Sequence, residues 1–486
     1  MKTYNNILAP EDGKYPLITK MRLMLATWIG KVVNWALRLL RRGGTTLPGR
    51  IALIICPELL TIFAKQLSGG NIIITGTNGK TTAASFLTAI IEEAGYTSIN
   101  NQAGSNMNWG ISSAMVKAAD WRAHLRADYG IMEVDEGNFP LTVQHLHPKG
   151  VVVTNIFRDQ LDRYGDIDYI KKALKKGIAE NPQPGFTVIN ADDPSLADIT
   201  ESGPNNKIYT YGLEFAASAS DPLGNTAKDL KTCPRCHLEL SYSTIYYAHL
   251  GHFYCPGCSY KRKKPDLSIT GISSTDNIYS TIDITWQDVS YQVYFPLPGR
   301  YNLYNLMAAV TCAHVLDIDP LIIKKAINNV EPPFGRMEKF FHNNAEIIMA
   351  LIKNPVGANE SLNTFLAGKD KIYNTMLIAI NDNIPDGRDI SWIWDVDFEQ
   401  IDRSGHRFHT IVVSGLRALD TALRLKYAGI SEESLMVESN TRKALNRCLA
   451  MAKEGSCLVI LPNYSAMLEI RREMNKMGIG SRYWEV

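Results

Sequence analysis

A glycine-rich loop between a buried strand and a helix carries the clearest chemistry in the sequence. The apolar run Asn71–Thr75 is followed by Gly76, Thr77, Asn78, Gly79, Lys80, Thr81 and Thr82. In such loops backbone N–H groups surround phosphate oxygens, a lysine reaches the β- and γ-phosphates, and a threonine hydroxyl ligates Mg²⁺. The strict phosphate-loop spacing would need glycine at Ile74, so this loop is a variant. We predict nucleotide binding; the alternative is a glycine turn that only joins strand and helix.

Acidic residues lie near the ends of the next two predicted strands. Glu133 closes the apolar run Tyr129–Glu133, and Asp159 and Asp162 follow the run 150–155. The carboxyl ends of parallel strands line the ligand crevice of an α/β sheet, where a carboxylate can hold a metal ion that bridges ATP and an acyl acceptor. Taken alone, each acid can also be a helix cap or a solvated charge.

Four cysteines form two close pairs. Two residues separate Cys233 from Cys236, and Cys255 and Cys258 repeat that spacing after a further eighteen residues. Two such knuckles place four thiolates around one tetrahedral Zn²⁺, a closed structural site without an open position for water. We predict a zinc ribbon whose metal holds a short insertion together. A reactive thiol or a disulfide is the alternative.

The composition excludes several classes of protein. The 486 residues exceed one ordinary domain, and 51 Lys and Arg against 49 Asp and Glu give a net charge of only +2, so no nucleic-acid partner is expected. With 45% apolar and 21% charged residues, the chain has the composition of a globular enzyme rather than of a disordered protein. No cleavable signal is recognisable, and we expect a cytoplasmic location.

Alternating strands and helices must position these residues. Short apolar runs predict strands at 71–75, 129–134, 150–155 and 186–190. Helical spacing predicts helices at 81–95 and 167–180, and the alternation predicts a parallel α/β sheet. A β-rich stretch at 279–295 follows. A second α/β region begins near Phe340, with strands near 375–380, 410–414 and 457–461.

We divide the chain into three parts. Residues 1–68 form an N-terminal helical segment. Residues 69–333 form a central ATP-binding domain that contains the zinc-ribbon insertion at 229–265, and residues 334–486 form a C-terminal α/β domain. Pro332–Gly335 is the expected hinge, because two prolines and a glycine interrupt the pattern there.

The stretch Met21–Arg42 is apolar at helical spacing but is interrupted by Lys31, Asn34 and Arg38, so it is not expected to cross a bilayer. Two interpretations are open. The favoured one is a helix packed on its own domain. The other is an amphipathic helix on an anionic membrane surface, suggested by tryptophan and arginine at its flanks.

Together these motifs resemble those of the ATP-dependent Mur ligases and folylpolyglutamate synthetases. The resemblance rests on Glu133 and on the segments 76–81, 154–162, 190–194, 299–305 and 335–338, which follow in the same order over most of the chain. It implies an α/β fold with a Mur ligase-type central P-loop ATPase domain, a four-cysteine insertion and a smaller α/β C-terminal domain. In this family ATP phosphorylates a carboxylate, and an amine attacks the acyl phosphate.

The resemblance also implies roles for single residues. Lys80 and Thr81 would hold the phosphates and Mg²⁺, and Glu133 the metal. Asn302 or Asn305 would lie on the adenine side, and Arg336 would contact the γ-phosphate.

Departures from the family are informative as well. The third domain of these ligases opens with an Asp-containing motif, and Leu351–Pro355 stands in its place. The site for an incoming amino acid is therefore altered. Together with the four cysteines, this narrows the resemblance to the synthetase subunits of lipid II isoglutaminyl synthases. It implies ATP activation of the α-carboxylate of D-glutamate in the lipid II stem peptide and attack by ammonia, which leaves D-isoglutamine.

Ammonia must then come from another chain. Glutaminases need a cysteine activated by histidine, and the remaining cysteines lie in apolar or helical runs without that context: Cys56, Cys312, Cys448 and Cys457. The resemblance implies a heterodimer with a glutaminase resembling GatD, whose Cys–His pair is completed by an aspartate of the synthetase. We place this aspartate at Asp389, with Asp395 second. From the residues alone, an acid-rich surface loop is the preferred interpretation.

Two other functions stay open. One is a Mur-like ligase that adds an amino acid to a carboxylate substrate. The other is a non-catalytic zinc-ribbon switch that binds nucleotides and partners without making amide bonds.

Overall fold

The computed structural model describes most of the chain. The described residues are 15–39, 46–101, 105–157, 167–181, 185–201, 206–215, 231–276, 279–330, 335–367, 373–403, 408–452 and 454–480. They form two helix-flanked sheets and a separate two-stranded hairpin. Among these residues, every helix is too short or too polar to traverse a bilayer.

Three helices precede the first sheet: α1 (Leu17–Leu39), α2 (Leu47–Ile55) and α3 (Leu59–Ala64). Their buried side chains, among them Leu23 and Phe63, belong to the same hydrophobic core as Ile73 and Val151 of the sheet. The favoured prediction, a helix packed on its own domain, is therefore confirmed: one face of α1 is buried in this core.

The first sheet has nine strands: β1 (Gly70–Thr75), β2 (Ser98–Asn100), β3 (Tyr129–Glu133), β4 (Gly150–Val153), β5 (Phe186–Asn190), β6 (Lys207–Leu213), β9 (Leu267–Asp276), β10 (Tyr279–Trp286) and β11 (Val289–Phe295). Their order is β11-β10-β9-β6-β5-β4-β1-β3-β2. All pairs from β2 to β9 are parallel, as predicted, and β9, β10 and β11 continue as an antiparallel meander.

Helices cover both faces of this sheet: α4 (Lys80–Glu93), α5 (Asn108–Ala118), α6 (Phe139–Leu146), α7 (Ile167–Ala179), α8 (Arg300–Val315) and α9 (Pro320–Asn328). One core contains α4, α8 and α9, and the other contains α1 to α3 and α5 to α7. The hairpin of β7 (Ser241–Tyr247) and β8 (Leu250–Tyr254) lies between β6 and β9 in the chain.

The second sheet has six strands: β12 (Arg336–His342), β13 (Ala345–Ala350), β14 (Tyr373–Ala379), β15 (Thr410–Ser414), β16 (Leu435–Val437) and β17 (Cys457–Pro462). Their order is β12-β13-β17-β14-β15-β16, and only β12 runs antiparallel to its neighbour. Its helices are α10 (Pro355–Ala367), α11 (Glu399–Arg403), α12 (Ala418–Tyr427), α13 (Thr441–Met451) and α14 (Tyr464–Lys476). The three-part division and the hinge stay predictions, and residues 331–334 lie outside the described part of the chain.

Candidate functional site

The glycine-rich loop joins β1 to α4 at the carboxyl edge of the first sheet. Gly76 has φ +122°, and a Cβ there would lie 2.3 Å from Oγ1 of Thr154. Gly79 has φ +85°, and a Cβ there would lie 1.9 Å from Oδ1 of Asn305. Both positions therefore need glycine, for the backbone conformation and for the close approach of a neighbour.

Residues that follow β4 hold the loop in shape. The Asn155 side chain accepts a hydrogen bond from the Asn78 N–H at 2.9 Å and donates one to the Asn78 carbonyl at 3.1 Å. The Thr154 hydroxyl donates to the same carbonyl at 2.7 Å, and the Thr77 N–H donates to the Asn155 carbonyl. The loop is thus tied to the neighbouring strand before any ligand binds.

Lys80 lies inside this loop. Its ammonium group donates to the Gly76 carbonyl and lies 3.4 Å from Oε2 of Glu136, and the side chain is buried. A buried cation surrounded by loop backbone is the arrangement that binds the β- and γ-phosphates of a nucleotide. Thr77 and Thr82 are buried beside it, and the Thr77 hydroxyl exchanges hydrogen bonds with the Phe157 backbone.

Thr81 and Glu133 form the oxygen pair that a metal ion would need. The Thr81 hydroxyl donates to Oε2 of Glu133 at 2.9 Å, while the buried Oε1 finds no hydrogen-bond partner in the described part of the chain. Burial raises the pKa of Glu133, against the opposing effects of the Thr81 hydrogen bond and of the charges of Lys80, Arg336 and Lys353. Because Mg²⁺ prefers hard oxygen ligands, this unsatisfied carboxylate and the adjacent hydroxyl fit it.

Two residues of the second α/β region touch the loop, and sequence reasoning gave them no such role. The Lys353 ammonium group donates to the Thr77 carbonyl at 3.1 Å, and the Asn354 amide donates to Oδ1 of Asn78 at 2.9 Å. Each contact spans 276 residues of chain. The only signal in the sequence is a Lys-Asn-Pro segment two residues after a strand, where the Asp-containing motif of the Mur ligases would stand.

Arg336, the first residue of β12, faces the same site. Burial lowers the pKa of its guanidinium, while the charges of Tyr301, Glu133 and Tyr247 act in the opposite direction. This half-buried cation acts electrostatically on Glu133, and its place near the γ-phosphate stays a prediction.

The remaining predicted ATP residues lie on α8. Asn302 and Asn305 are buried on its first two turns, where Asn302 donates to the Pro298 carbonyl at 2.6 Å and Asn305 to Asn302 at 3.4 Å. The Asn305 side chain forms the wall behind Gly79. Their role on the adenine side stays a prediction, and Asp159 and Asp162 lie outside the described residues.

The four paired cysteines meet in one cluster. Sγ of Cys233 lies 3.6 Å from that of Cys258, Sγ of Cys236 lies 3.3 Å from that of Cys255, and all four lie within 4.8 Å of one another. Tetrahedral Zn–S bonds of ~2.3 Å imply sulfur separations of roughly 3.8 Å, so the cluster fits zinc. That the bound metal is zinc, and that the hairpin is a zinc ribbon, stay predictions.

Polar contacts anchor the β7–β8 hairpin and the segment after Cys258 on the first sheet. Arg262 forms ion pairs with Asp192 and Glu214, and the His249 ring lies 3.3 Å from Oδ1 of Asp193. Asp193 in turn accepts the Ile156 N–H at 2.9 Å, beside the residues that hold the phosphate loop. The cluster is thus connected to the nucleotide site through the end of β4.

The other four cysteines are buried, as expected. Burial raises the pKa of the Cys56 and Cys448 thiols to about 12 and raises that of Cys312 as well. A nucleophilic cysteine needs the opposite, a thiolate stabilised near neutral pH.

Loops at the carboxyl ends of β14, β15 and β17 converge around Asn381. Its backbone N–H donates to Oδ1 of Asn463 at 3.1 Å, its carbonyl accepts from the Asn463 amide at 2.7 Å, and its side chain accepts from the Leu416 N–H at 2.9 Å. The Ser465 N–H donates to Asp386 at 2.8 Å. These contacts fix the loop that leads to Asp389.

Asp389 and Asp395 are both exposed at this edge. Oδ1 of Asp389 accepts the Ser391 N–H at 2.8 Å, and that bond lowers the pKa of the carboxyl. Asp395 ends a short 3₁₀ turn (Ser391–Asp395). Both carboxylates are open to a partner.

Comparisons with known proteins agree with this arrangement. Residues 74–313 match the Mur ligase middle domain family, and residues 351–467 match the MurT ligase C-terminal family. The lipid II isoglutaminyl synthase (glutamine-hydrolyzing) subunit MurT of Staphylococcus aureus (strain COL) is 32% identical over 94% of this chain and 98% of its own length. The subunit of the same name from Streptococcus pneumoniae (strain ATCC BAA-255 / R6) is 31% identical over 93% and 96%.

Solved structures share the fold. A pseudomurein peptide ligase type C from Methanothermus fervidus superposes with a TM-score of 0.64 at 21% identity, covering 86% of this chain and 80% of the other. The predicted Mur ligase-like α/β architecture with a C-terminal domain is confirmed.

Proposed function

The chain belongs to the MurT family, and we propose on that premise that it is the synthetase subunit of a lipid II isoglutaminyl synthase. It would use ATP to amidate the α-carboxylate of D-glutamate in the lipid II stem peptide, which gives D-isoglutamine. The ammonia would come from a partner glutaminase resembling GatD. Lipid II places the substrate at a membrane, so we propose that the protein works in the cytoplasm at the inner membrane face.

The observation that carries the ATP-dependent activity is the Thr81–Glu133 pair beside the buried Lys80. It combines a cation for phosphates with an unsatisfied carboxylate oxygen for a metal, in a loop that is already held in shape. These are the groups that phosphoryl transfer requires, because catalysis of that reaction is mostly positioning and charge stabilisation.

The mechanism begins with phosphoryl transfer to the substrate. Lys80 and the N–H groups of the loop would bind the β- and γ-phosphates, and Thr81 and Glu133 would hold Mg²⁺. When bound, Mg²⁺ neutralises phosphate charge and orients the γ-phosphoryl group. An oxygen of the substrate carboxylate attacks the γ-phosphorus, ADP leaves, and an acyl phosphate forms. Arg336 and Lys353 would stabilise the charge that develops.

Ammonia then attacks the acyl carbon and phosphate leaves, so that one carboxylate oxygen ends in the phosphate. Water would destroy the same intermediate, so the site must be covered. The contacts of Lys353 and Asn354 with the phosphate loop bring the second α/β region over the nucleotide site. They support a closed arrangement during the reaction.

The carboxyl edge of the second sheet is the proposed docking face for the glutaminase. Lys353 follows β13, and the Asn381 loop follows β14, two strands away along that edge. At ~4.8 Å per strand the separation is roughly 10 Å. Large apolar side chains are exposed around the loop: Ile384, Trp394, Leu416, Leu419, Leu423 and Tyr427. An exposed apolar patch next to a site indicates a protein interface.

Asp389 is our first choice for the residue that orients the partner's histidine. Its carboxylate is exposed, the Ser391 N–H lowers the pKa of the carboxyl, and its loop is fixed by the buried amides around Asn381. A fixed carboxylate next to an apolar docking face suits that task.

Reconstitution separates the three candidate functions. The purified chain is mixed with ATP, glutamine, lipid II and a glutaminase resembling GatD, and the product is analysed by mass spectrometry. We expect a mass loss of about 1 Da per stem peptide, as a hydroxyl is exchanged for an amine, and only with both chains present. Addition of a free amino acid without the partner would instead support a Mur-like ligase. ATP binding without substrate-dependent phosphate release would support the nucleotide switch.

The proposed role of Asp389 is tested by comparing two nitrogen sources, glutamine and ammonium chloride. In the complex, Asp389→Asn should abolish amidation with glutamine and leave amidation with ammonium chloride unchanged. Asp395→Asn is the matched control and should affect neither. Loss of both activities in Asp389→Asn, or selective loss of glutamine use in Asp395→Asn, would contradict the assignment.

A further inference from the structure

Helix α1 carries an exposed apolar stripe along its whole length. Its members are spaced alternately by three and four residues and are 44% to 70% exposed: Ile18, Met21, Leu25, Trp28, Val32, Trp35 and Leu39. Such spacing keeps side chains on one side of a helix, and a large exposed apolar surface marks an interaction site.

The stripe is separate from the packed side of the helix. Leu23, Ala26, Thr27 and Gly30 are buried, and a Cβ at Gly30 would lie 2.7 Å from Val116 of α5. At ~100° per residue this buried side lies roughly opposite the stripe. The fold therefore fixes α1 and leaves the stripe facing outward.

Along the chain, the charges of this N-terminal segment have one sign. From Gly13 to Pro57 the sequence holds no Asp or Glu and eight basic residues: Lys14, Lys20, Arg22, Lys31, Arg38, Arg41, Arg42 and Arg50. On the helix, Lys20, Lys31 and Arg38 lie along one border of the stripe and Arg22 along the other, as the same angular spacing shows. An apolar stripe with basic borders is complementary to a layer of anionic lipid headgroups over acyl chains.

Tryptophans reinforce this complementarity. Trp28 and Trp35 belong to the stripe, and the Trp28 indole N–H donates to the carbonyl of Trp121 at 2.6 Å. Trp121 is itself 62% exposed, and the Lys31 ammonium lies 5.6 Å from its ring centroid. Tryptophan is enriched where membrane headgroups meet acyl chains, since its ring is apolar and its N–H is polar.

We infer that α1 lies in the plane of an anionic bilayer surface, with the stripe inserted and the basic borders on the headgroups. A second copy of the chain is a poorer occupant, because packing stripe on stripe would bring the basic borders of both copies together. The inference rests on the surface of α1 alone, so it can be tested without lipid II, ATP or a partner chain.

The test is flotation of the full-length chain with vesicles of phosphatidylcholine, alone or mixed with phosphatidylglycerol. We expect flotation with the anionic vesicles only, and loss of it at high salt. Lys20→Gln combined with Arg38→Gln should lower the partition coefficient about 25-fold, at about fivefold for each basic residue. Tryptophan emission should shift to shorter wavelength on binding.

A stripe variant tests the apolar part. Met21→Gln, Val32→Gln and Trp35→Gln together should lower partitioning at least about tenfold, since these side chains are exposed and no core packing is lost. The control combines Leu321→Gln and Phe341→Gln, which are 75% and 71% exposed outside α1 and should change nothing.

Three results would overturn the inference. They are no flotation of the natural chain, equal flotation of the stripe variant and the natural chain, and a self-association in solution that the stripe variant abolishes. Thermal melting of both variants shows that they are folded before flotation is compared.

Discussion

Replacing Gly79 by alanine tests how the phosphate loop is built. Gly79 has φ +85°, which costs an alanine about 1–2 kcal/mol. Its new Cβ would also lie 1.9 Å from Oδ1 of Asn305, so the loop or α8 must move. Overpacking of this kind costs about 1–3 kcal/mol. We therefore expect Gly79→Ala to lower the free energy of unfolding by about 2–5 kcal/mol.

The chain offers a matched control for the backbone contribution. Gly95, just past the other end of α4, has the same φ of +85° but no atom within 4 Å of its virtual Cβ. Gly95→Ala should thus cost only the backbone strain, about 1–2 kcal/mol. The difference between the two variants isolates the contact with Asn305.

Asn305→Ala should remove that contact. The double variant Gly79→Ala/Asn305→Ala is expected to be about 1–3 kcal/mol more stable than the sum of the single losses predicts. Urea denaturation measures the four free energies, and calorimetric titration shows whether ATP affinity recovers in parallel. Additive losses within about 0.5 kcal/mol, or equal losses for Gly79→Ala and Gly95→Ala, would refute the packing of α8 behind the loop.

Four further predictions follow from the site. Glu133→Gln should weaken Mg·ATP binding about 10- to 100-fold, since a charge-assisted interaction worth about 1.5–3 kcal/mol is lost, and leave metal-free nucleotide binding unchanged in calorimetric titration. Lys353→Met should slow ammonium-dependent amidation about 100-fold or more, whereas a solely structural contact would change only stability. Cys258→Ser should reduce bound zinc from one per chain, measured by emission spectrometry, and lower the melting temperature by about 5 °C or more. Burial alone would raise the pKa of Asp193, but His249, Ser195 and the Ile156 N–H lower it below its usual value. Its contribution to stability is therefore present above pH ~4 and lost as the pH falls through the depressed pKa, so the stability gap between Asp193→Asn and the natural chain should narrow in acid.

The elements around the nucleotide site could be predicted closely from the sequence. The predicted strand at 71–75 is β1 (Gly70–Thr75), and the predicted helix at 81–95 is α4 (Lys80–Glu93). Apolar periodicity and glycines are local signals, and they coincide at this loop. The spacing of the cysteine pairs is likewise a local signal, and the four sulfur atoms do lie within 4.8 Å of one another.

Contacts between distant segments could not be predicted in the same way. No periodicity or spacing relates Lys353 to Thr77, which lie 276 residues apart in the chain. The N-terminal helix shows a second limit, because an apolar pattern does not reveal which side will be covered. Leu23 and Ala26 are buried, while Met21 and Leu25 are exposed. Only the packing of α2 and α5 against one side decides this.

Isotope transfer tests the proposed reaction most directly. Lipid II labelled with ¹⁸O in the α-carboxylate of D-glutamate is amidated by the complete complex, and the released phosphate is analysed by mass spectrometry. Activation through an acyl phosphate predicts one ¹⁸O atom in phosphate for each amide formed. Amide formation with unlabelled phosphate would contradict it.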